Sequence, residues 1–339
     1  MNLSLKLYFQ ESKPLYLQVS DSIVNSIREG KLVLGDKVPS INQLSEEYLL
    51  SRDTVEKAYK DLMKRDIIQS VIGKGYYISR VDVQKNLRVL VIFNKLSNYK
   101  RQIYNSIIQT LGSEATVDLS VHHSNADLLN NIIGSNIRSY DYFLIACHFY
   151  SDINKAVESI RRLPPNKVLL LDKKLPDGNN DYVAVYQDYE RDLYQALTDG
   201  LYLLKKYKRL FLSFPTLSNY PQEIVKGFRL FCVSNSFEHH VIRDIEPFHN
   251  LQVGDAYVVI EETDLANLIK ICKQKGLQVG KDIGIISYND TPLKEILLDG
   301  ITVFSTDHES MGRTSASLIL NRKLQNVKNP FSLIKRNSL

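Results

Sequence analysis

Residues 35–80 read GDKVPSINQLSEEYLLSRDTVEKAYKDLMKRDIIQSVIGKGYYISR, and two helix starts lie in this stretch. Ser40, followed three residues later by Gln43, forms a capping-box pattern ahead of Ile41, Leu44 and Tyr48. After Leu49-Leu50, Ser51 caps a second helix that carries Val55, Ala58, Tyr59 and Leu62 on one face. Two short helices joined by a few residues make a helix-turn-helix. Residues 67–71 and 76–79 then flank Ile72-Gly73-Lys74-Gly75, a hairpin whose glycine-rich tip carries a cation. Upstream, Leu15, Val19, Ile23 and Ile27 recur at four-residue spacing, so residues 14–29 read as a third helix, stopped by Gly30.

This arrangement suits double-stranded DNA. The second helix of such a unit fits a major groove, and its N-terminal end meets phosphates and base edges. Arg52, Asp53, Thr54 and Lys57 stand on that end. A guanidinium bridges guanine O6 and N7, while hydroxyls and main-chain amides at a helix start hold phosphate. Lys74 at the hairpin tip is placed to reach a minor groove or the backbone. From Arg52 to Arg80 there are seven Lys or Arg against four Asp or Glu; the whole stretch to Arg80 has twelve against ten. The positive charge is therefore concentrated on the proposed reading surface. The expected DNA contacts are Ser40, Asn42, Ser51, Arg52, Asp53, Thr54, Lys57, Gly73, Lys74 and Gly75.

The order of helix, G-D-K-V-P-S, then L-S-E-E-Y-L-L-S-R-D-T-V-E-K-A-Y-K-D-L, then G-K-G-Y-Y resembles the DNA-binding domain of the GntR family across nearly all of the first 80 residues. The resemblance implies a winged helix-turn-helix in which Arg52 and Thr54 touch DNA and the glycine hairpin is the wing. Asn42 stands where the family often has arginine, and Glu56 where a cation is frequent, so no base preference carries over.

Past residue 86 the texture changes. Short continuous apolar runs begin at Leu87, Tyr142, Val168, Tyr182, Leu210, Tyr257, Ile283 and Thr302. Helical stretches at 98–111, 126–137, 154–163, 189–206, 222–235, 265–275 and 308–320 separate most of them. Alternation of this kind gives an α/β fold with parallel sheets covered on both faces. Two lobes are expected, with the chain crossing between them near Asp188 and Ser305. The division read from the sequence is a winged helix-turn-helix at 1–80, a polar linker at 81–86, a two-lobed effector-binding domain at 87–325 and a C-terminal tail at 326–339.

Ligands of such folds bind where loops leave the carboxyl ends of strands. That rule selects Asn94, Lys95 and Tyr99, then His148 and Tyr150, then Gln187 and Asp188. It also selects Thr216 and Tyr220, Glu261 and Glu262, and Asn289 and Asp290. Of these, Asn94, Tyr99, His148, Gln187, Asp188, Tyr220, Glu261 and Asn289 are the expected ligand contacts. Amides and carboxylates bridge vicinal hydroxyls, and a ring stacks on the apolar face of a sugar. No glycine-rich phosphate loop is present in the sequence, so this mixture fits an uncharged polyol better than a phosphate. The two adjacent histidine pairs, His122-His123 and His239-His240, read as surface residues.

The stretch from Asp255 to Leu320, with V-G-K-D-I-G-I-I-S-Y-N-D at 279–290, I-T-V at 301–303 and Met311-Gly312, resembles the effector domain of the lactose-repressor family, itself similar to periplasmic sugar-binding proteins. Lys226-Gly227-Phe228 fits the same pattern. The resemblance implies that Asn289 and Glu261 hold sugar hydroxyls, and that Ile224 replaces a sugar-binding arginine. It also implies a mono- or disaccharide, or a sugar derivative, as effector.

Composition agrees with this reading and narrows it. The chain has 339 residues and a formal charge of +5, which permits nucleic-acid binding without demanding it. Cys147, Cys232 and Cys272 are far apart and form no CxxC pair, which speaks against disulfides and a zinc site. No apolar run approaches the length of a membrane span, and the N-terminus does not read as a signal peptide, so a cytoplasmic protein is expected. With no GxSxG, P-loop or metal cluster in the sequence, neither enzyme activity nor a cofactor is expected. A palindromic operator needs paired readers, so a homodimer is expected. The alternatives are an activator, an enzyme acting on a sugar-like ligand, and a DNA-binding protein with a purely structural second domain.

Overall fold

A computed structural model describes residues 5, 7, 13–81, 87–149, 151–175, 181–215 and 220–339. Most of the linker (82–86), together with Tyr150 and Thr216, lies outside the described residues.

The head comprises α1 (Leu15–Arg28), β1 (Lys37–Val38), α2 (Ile41–Glu47), α3 (Arg52–Lys64), β2 (Ile68–Val71) and β3 (Gly75–Ile78). The capping box at Ser40 forms as the spacing predicts: its Oγ accepts from Gln43 N, and Gln43 Oε1 accepts from Ser40 N. Ser51 Oγ accepts from Thr54 N at the start of α3. Val19, Ile23, Leu44, Val55, Ala58, Tyr59 and Leu62 pack into one buried cluster. β3 lies between β1 and β2, antiparallel to both, which builds the wing.

The first lobe runs through β4 (Leu87–Phe93), α4 (Asn98–Leu111), β5 (Ala115–Val121), α5 (Ala126–Asn136), β6 (Tyr142–Ala146), α6 (Ile153–Arg161), β7 (Val168–Asp172) and β8 (Val183–Tyr186). The second holds α7 (Tyr189–Asp199), α8 (Leu201–Leu204), β9 (Arg209–Ser213), α9 (Glu223–Ser234), β10 (Glu238–Ile242), β11 (Asp255–Val259), α10 (Glu262–Lys275), β12 (Ile283–Tyr288), α11 (Pro292–Ile296) and β13 (Thr302–Thr306). α12 (His308–Leu320) returns to pack on α4 of the first lobe, and β14 (Val327–Lys328) and β15 (Phe331–Ile334) follow. The sheet orders are β14-β8-β7-β6-β4-β5 and β10-β9-β11-β12-β13-β15, parallel throughout except for the pairing of β15 with β13.

Three expectations change. The helix expected over 189–206 breaks at Gly200 into α7 and α8. Strands β5 and β10 were not legible because each lies at a sheet edge and mixes polar residues (Thr116, Asp118 and Ser120; Glu238, His239 and His240) into its run. Residues 326–339 are not a tail. β14 adds to the first sheet and β15 to the second, so the chain makes a third crossing between the lobes. Ser338 exchanges hydrogen bonds with Ile285 of β12, and Leu339 is buried.

The three crossings are laced together. Thr306 Oγ1 donates to Gln187 Oε1 at 2.8 Å. Asn329, itself buried, donates from its backbone to Tyr186 O (2.7 Å) and from Nδ2 to Asp307 O (2.9 Å). Asp307 N donates to Pro330 O at 3.0 Å. Short, cross-bonded connections of this kind are where hinges between lobes are built.

Candidate functional site

The reading end of α3 is open to solvent: Arg52, Asp53 and Lys57 are exposed, and Thr54 is half-buried with its hydroxyl 2.7 Å from Ser51 Oγ. Asp53 and Lys57 pair at 2.7 Å along the helix, an exposed, solvent-screened contact that is easily exchanged for phosphate. Ser40 and Asn42 are exposed at the start of α2, and Gly73 and Lys74 at the wing tip, with Gly75 half-buried beside them. Tyr59 fixes these three places relative to one another. Its hydroxyl donates to Pro39 O at 2.6 Å, just ahead of α2, and its ring meets Tyr76 of the wing edge-on at 4.8 Å. The other end of α3 rests on the first lobe, where Asp61 bridges Arg88 of β4 (3.1 Å) and Arg65 (3.2 Å).

Between the lobes lies a crevice of about 330 Å³. It gathers seven of the eight expected ligand contacts: Asn94, Tyr99 and His148 from the first lobe, Tyr220, Glu261 and Asn289 from the second, and Gln187 from the crossing. Asp188 is not among the lining residues. Its carboxylate caps α7 by accepting from Arg191 N at 3.3 Å. Gln187 lines the crevice but is engaged by protein: Oε1 accepts from Thr306, and Nε2 donates to Tyr288 Oη at 2.9 Å. Asn94 differs from it. The side chain is 6% exposed, and Oδ1 finds no hydrogen-bond partner among the described residues. Asn289 takes a left-handed backbone (φ 62°) held by the buried Lys294 ammonium, which donates to Tyr288 O and Asn289 O. Asp290 is clamped by Arg336 at 2.8 and 2.7 Å.

Sequence reasoning missed Lys100, Asp172, Tyr189, Tyr288 and His308, all of which line the crevice. Asp172 joins the lobes: its Oδ2 accepts from Lys100 Nζ (3.2 Å) and His148 Nε2 (2.9 Å), and its Oδ1 from Tyr189 Oη on α7 (2.9 Å). Burial alone would raise its pKa. The Lys100 ammonium and the donors from His148 and Tyr189 more than offset this and hold the carboxyl well below the usual range. Its place directly after the apolar run 168–171 is the signal that the strand-end rule offered. His308 was reachable in the same way from the run that begins at Thr302. It stacks on Tyr99 with ring centroids 5.0 Å apart.

Burial pushes the His308 imidazole down to about 4. His122 is also pushed down to about 4 by burial, and it is not the surface residue expected. Its Nε2 lies 3.0 Å from Ala146 O, and its ring stacks on Phe149. His123 and His240 are exposed as read, while His239 is half-buried. A histidine whose folded pKa is depressed binds fewer protons than the unfolded chain between that value and about 6.5. Stability is therefore expected to fall as pH drops from about 6.5 to about 4, by on the order of 3 kcal/mol per buried histidine. Asp172 stays ionised through that window, so its own contribution is lost only at lower pH. Urea unfolding near pH 7 and near pH 4.5 measures the drop, and a His122→Gln, His308→Gln variant flattens it.

A solvent-facing winged head joined to two parallel-sheet lobes with a crevice between them defines a DNA-binding regulator with a separate two-lobed α/β domain. Residues 15–78 match the gntR family of bacterial regulatory proteins, and residues 211–339 match the periplasmic binding protein-like domain. The chain belongs to the GntR family. It is 37% identical over 87 residues to the mannosyl-D-glycerate transport/metabolism system repressor MngR of Escherichia coli, covering 25% of this chain and 36% of that protein. It is 31% identical over 99 residues to the HTH-type transcriptional repressor YtrA of Bacillus subtilis, covering 29% of this chain and 72% of YtrA. Among solved structures, a dimeric Lac repressor with a C-terminal deletion superposes with a TM-score of 0.59 at 18% identity, over 74% of this chain and 98% of that one. That likeness concerns the fold. Among the described residues no helix is long and apolar enough to cross a membrane.

Proposed function

We propose that the chain is a cytoplasmic, homodimeric repressor of carbohydrate-use genes, released from operator DNA when a small sugar binds between the lobes. The observation that carries this reading is the crevice itself. It is lined by amides from opposite lobes, Asn94 and Asn289, and one of them presents a buried acceptor that the described protein leaves unpaired. A sugar hydroxyl is a donor of the right kind, and an amide or carboxylate on each lobe lets one ligand draw both together. The 87-residue likeness to the repressor of a mannosyl-D-glycerate system supports carbohydrate-use genes as the target.

Closure about the three crossings moves the first lobe, and Arg88 on β4 of that lobe holds Asp61 on the recognition helix. Ligand acts only if it prefers the DNA-free arrangement; a tenfold loss of DNA affinity needs about 1.4 kcal/mol of that preference. An electrophoretic shift on the chain's own upstream region, with and without sugars, tests the proposal. If no sugar alters the shift, the sensing half is wrong. On the DNA side, Arg52→Ala is expected to weaken binding by about 1–3 kcal/mol and to relax base preference at one position. Lys74→Ala weakens it more evenly across sequences and lowers the salt dependence. Undiminished affinity in both variants removes these two residues from the interface.

A further inference from the structure

If the crevice holds the effector proposed above, on which the following inference rests, the charges around it limit what that effector can be. Among the described lining residues the charged groups are Lys95 and Lys100 against Asp172 and Glu261. Lys100 is buried, and Asp172 answers it at 3.2 Å. Both oxygens of Asp172 are filled by protein donors, so this cation is neutralised before any ligand arrives.

Four helices, α4, α7, α10 and α12, start at this crevice, and helix starts are ready anion cradles. Each is already occupied or opposed. Ser97 Oγ accepts from Lys100 N, the Asp188 carboxylate accepts from Arg191 N, and the Asp307 carboxylate accepts from Ser310 N at 2.7 Å. α10 opens on Glu261 and Glu262. The unpaired Asn94 Oδ1 needs a donor, which a sugar hydroxyl supplies. A cavity of about 330 Å³ stands at the small end of ligand pockets and is ample for a single sugar ring.

We infer that the crevice takes an uncharged monosaccharide, and that Asp172 is the residue that sets this preference, by cancelling Lys100 and holding it away from ligand. A sugar phosphate brings close to two negative charges into a site whose buried cation is already paired and whose other lysine, Lys95, is exposed and screened by solvent, so a charge carried into the buried part is poorly compensated and costly.

The test uses the full chain in thermal shift and calorimetric titration, with aldopentoses, aldohexoses and deoxyhexoses beside their terminal phosphates. At least one free sugar is expected to bind, and its phosphate is expected to bind at least about tenfold more weakly, or about 1.4 kcal/mol. In Asp172→Asn the ammonium of Lys100 loses its partner, so the discrimination shrinks or reverses. In the double variant Lys100→Met, Asp172→Asn it returns, which keeps the test decisive if the single variant does not fold. A phosphate ester that binds the unaltered chain as tightly as the free sugar overturns the inference and leaves the effector reading standing. Unchanged discrimination in a folded Asp172→Asn variant overturns the part assigned to Asp172. Binding of neither kind of sugar removes the effector reading and this inference with it.

Discussion

A chain cut after residue 325 is expected not to fold its second lobe. The removed segment supplies β15, the sheet partner of β13, and exposing β13 leaves a row of unpaired backbone groups. Phe331 and Leu333 leave the core cluster that also holds Phe228 and Phe304, and Leu339 leaves with them. Burying one such side chain contributes about 1.5–3 kcal/mol. Arg336 goes as well, which leaves Asp290 without its clamp and Thr302 Oγ1 without its bond to Arg336 O. Ser338 no longer satisfies Ile285 and Thr302. The combined loss is comparable to the whole stability of a domain, about 5–15 kcal/mol. The truncated chain should be insoluble, or should lack a cooperative melt in circular dichroism. A soluble product melting within a few degrees of the intact chain would show that the segment is only a tail after all.

This segment shows where the sequence stops being legible. The strands of the sheet interiors could be read because burial on both faces leaves continuous apolar runs, as in residues 87–93. Phe331–Ile334 is a four-residue edge strand with alternate residues exposed, and Val327–Lys328 has only two residues. Neither carries a run long enough to mark it. The head was the most legible part, because its signals are local: the Ser40–Gln43 and Ser51–Thr54 caps lie within three residues of their partners. The crevice was half legible. The strand-end rule reached Asn94 and Asn289, yet nothing local joins Lys100 to Asp172, which lies 72 residues further on. Gln187 and Asp188 were placed by the same rule and are engaged by the hinge and the α7 cap, because a residue type does not reveal which of its bonds the fold has already made.

Gly227 and Gly312 stand in the Lys226-Gly227-Phe228 and Met311-Gly312 patterns noted in the sequence, and substituting either by valine is expected to be strongly destabilising. A Cβ on Gly227 would lie 2.3 Å from Glu190 O, where α9 crosses α7. A Cβ on Gly312 would lie 2.5 Å from Ile103 O and 2.7 Å from Ser106 Cβ, where α12 crosses α4. The nearest atoms in both cases are backbone oxygens of a packed helix, so relief requires moving a whole element rather than turning a side chain. Overpacking of this kind costs about 3 kcal/mol or more, or about 10 °C in melting temperature for a lobe of this size. Gly134 is the control. It lies within α5, and a Cβ there meets only the end of the flexible Arg162 side chain, at 3.8 Å. Gly134→Ala should therefore raise stability by about 0.5–1 kcal/mol, through the lower backbone entropy of alanine in the unfolded chain. Thermal melts of the three variants decide the matter. If Gly227→Val and Gly312→Val melt with the unaltered chain, the helices are not held as close as described, and the glycines need another explanation. The Gly312 site carries a second consequence, because α12 begins at His308 in the crevice wall and α4 carries Tyr99 and Lys100. Prising α12 from α4 should thus weaken the sugar binding proposed above in any folded Gly312 variant, while Gly227→Val, acting between α7 and α9, disturbs Tyr189 instead.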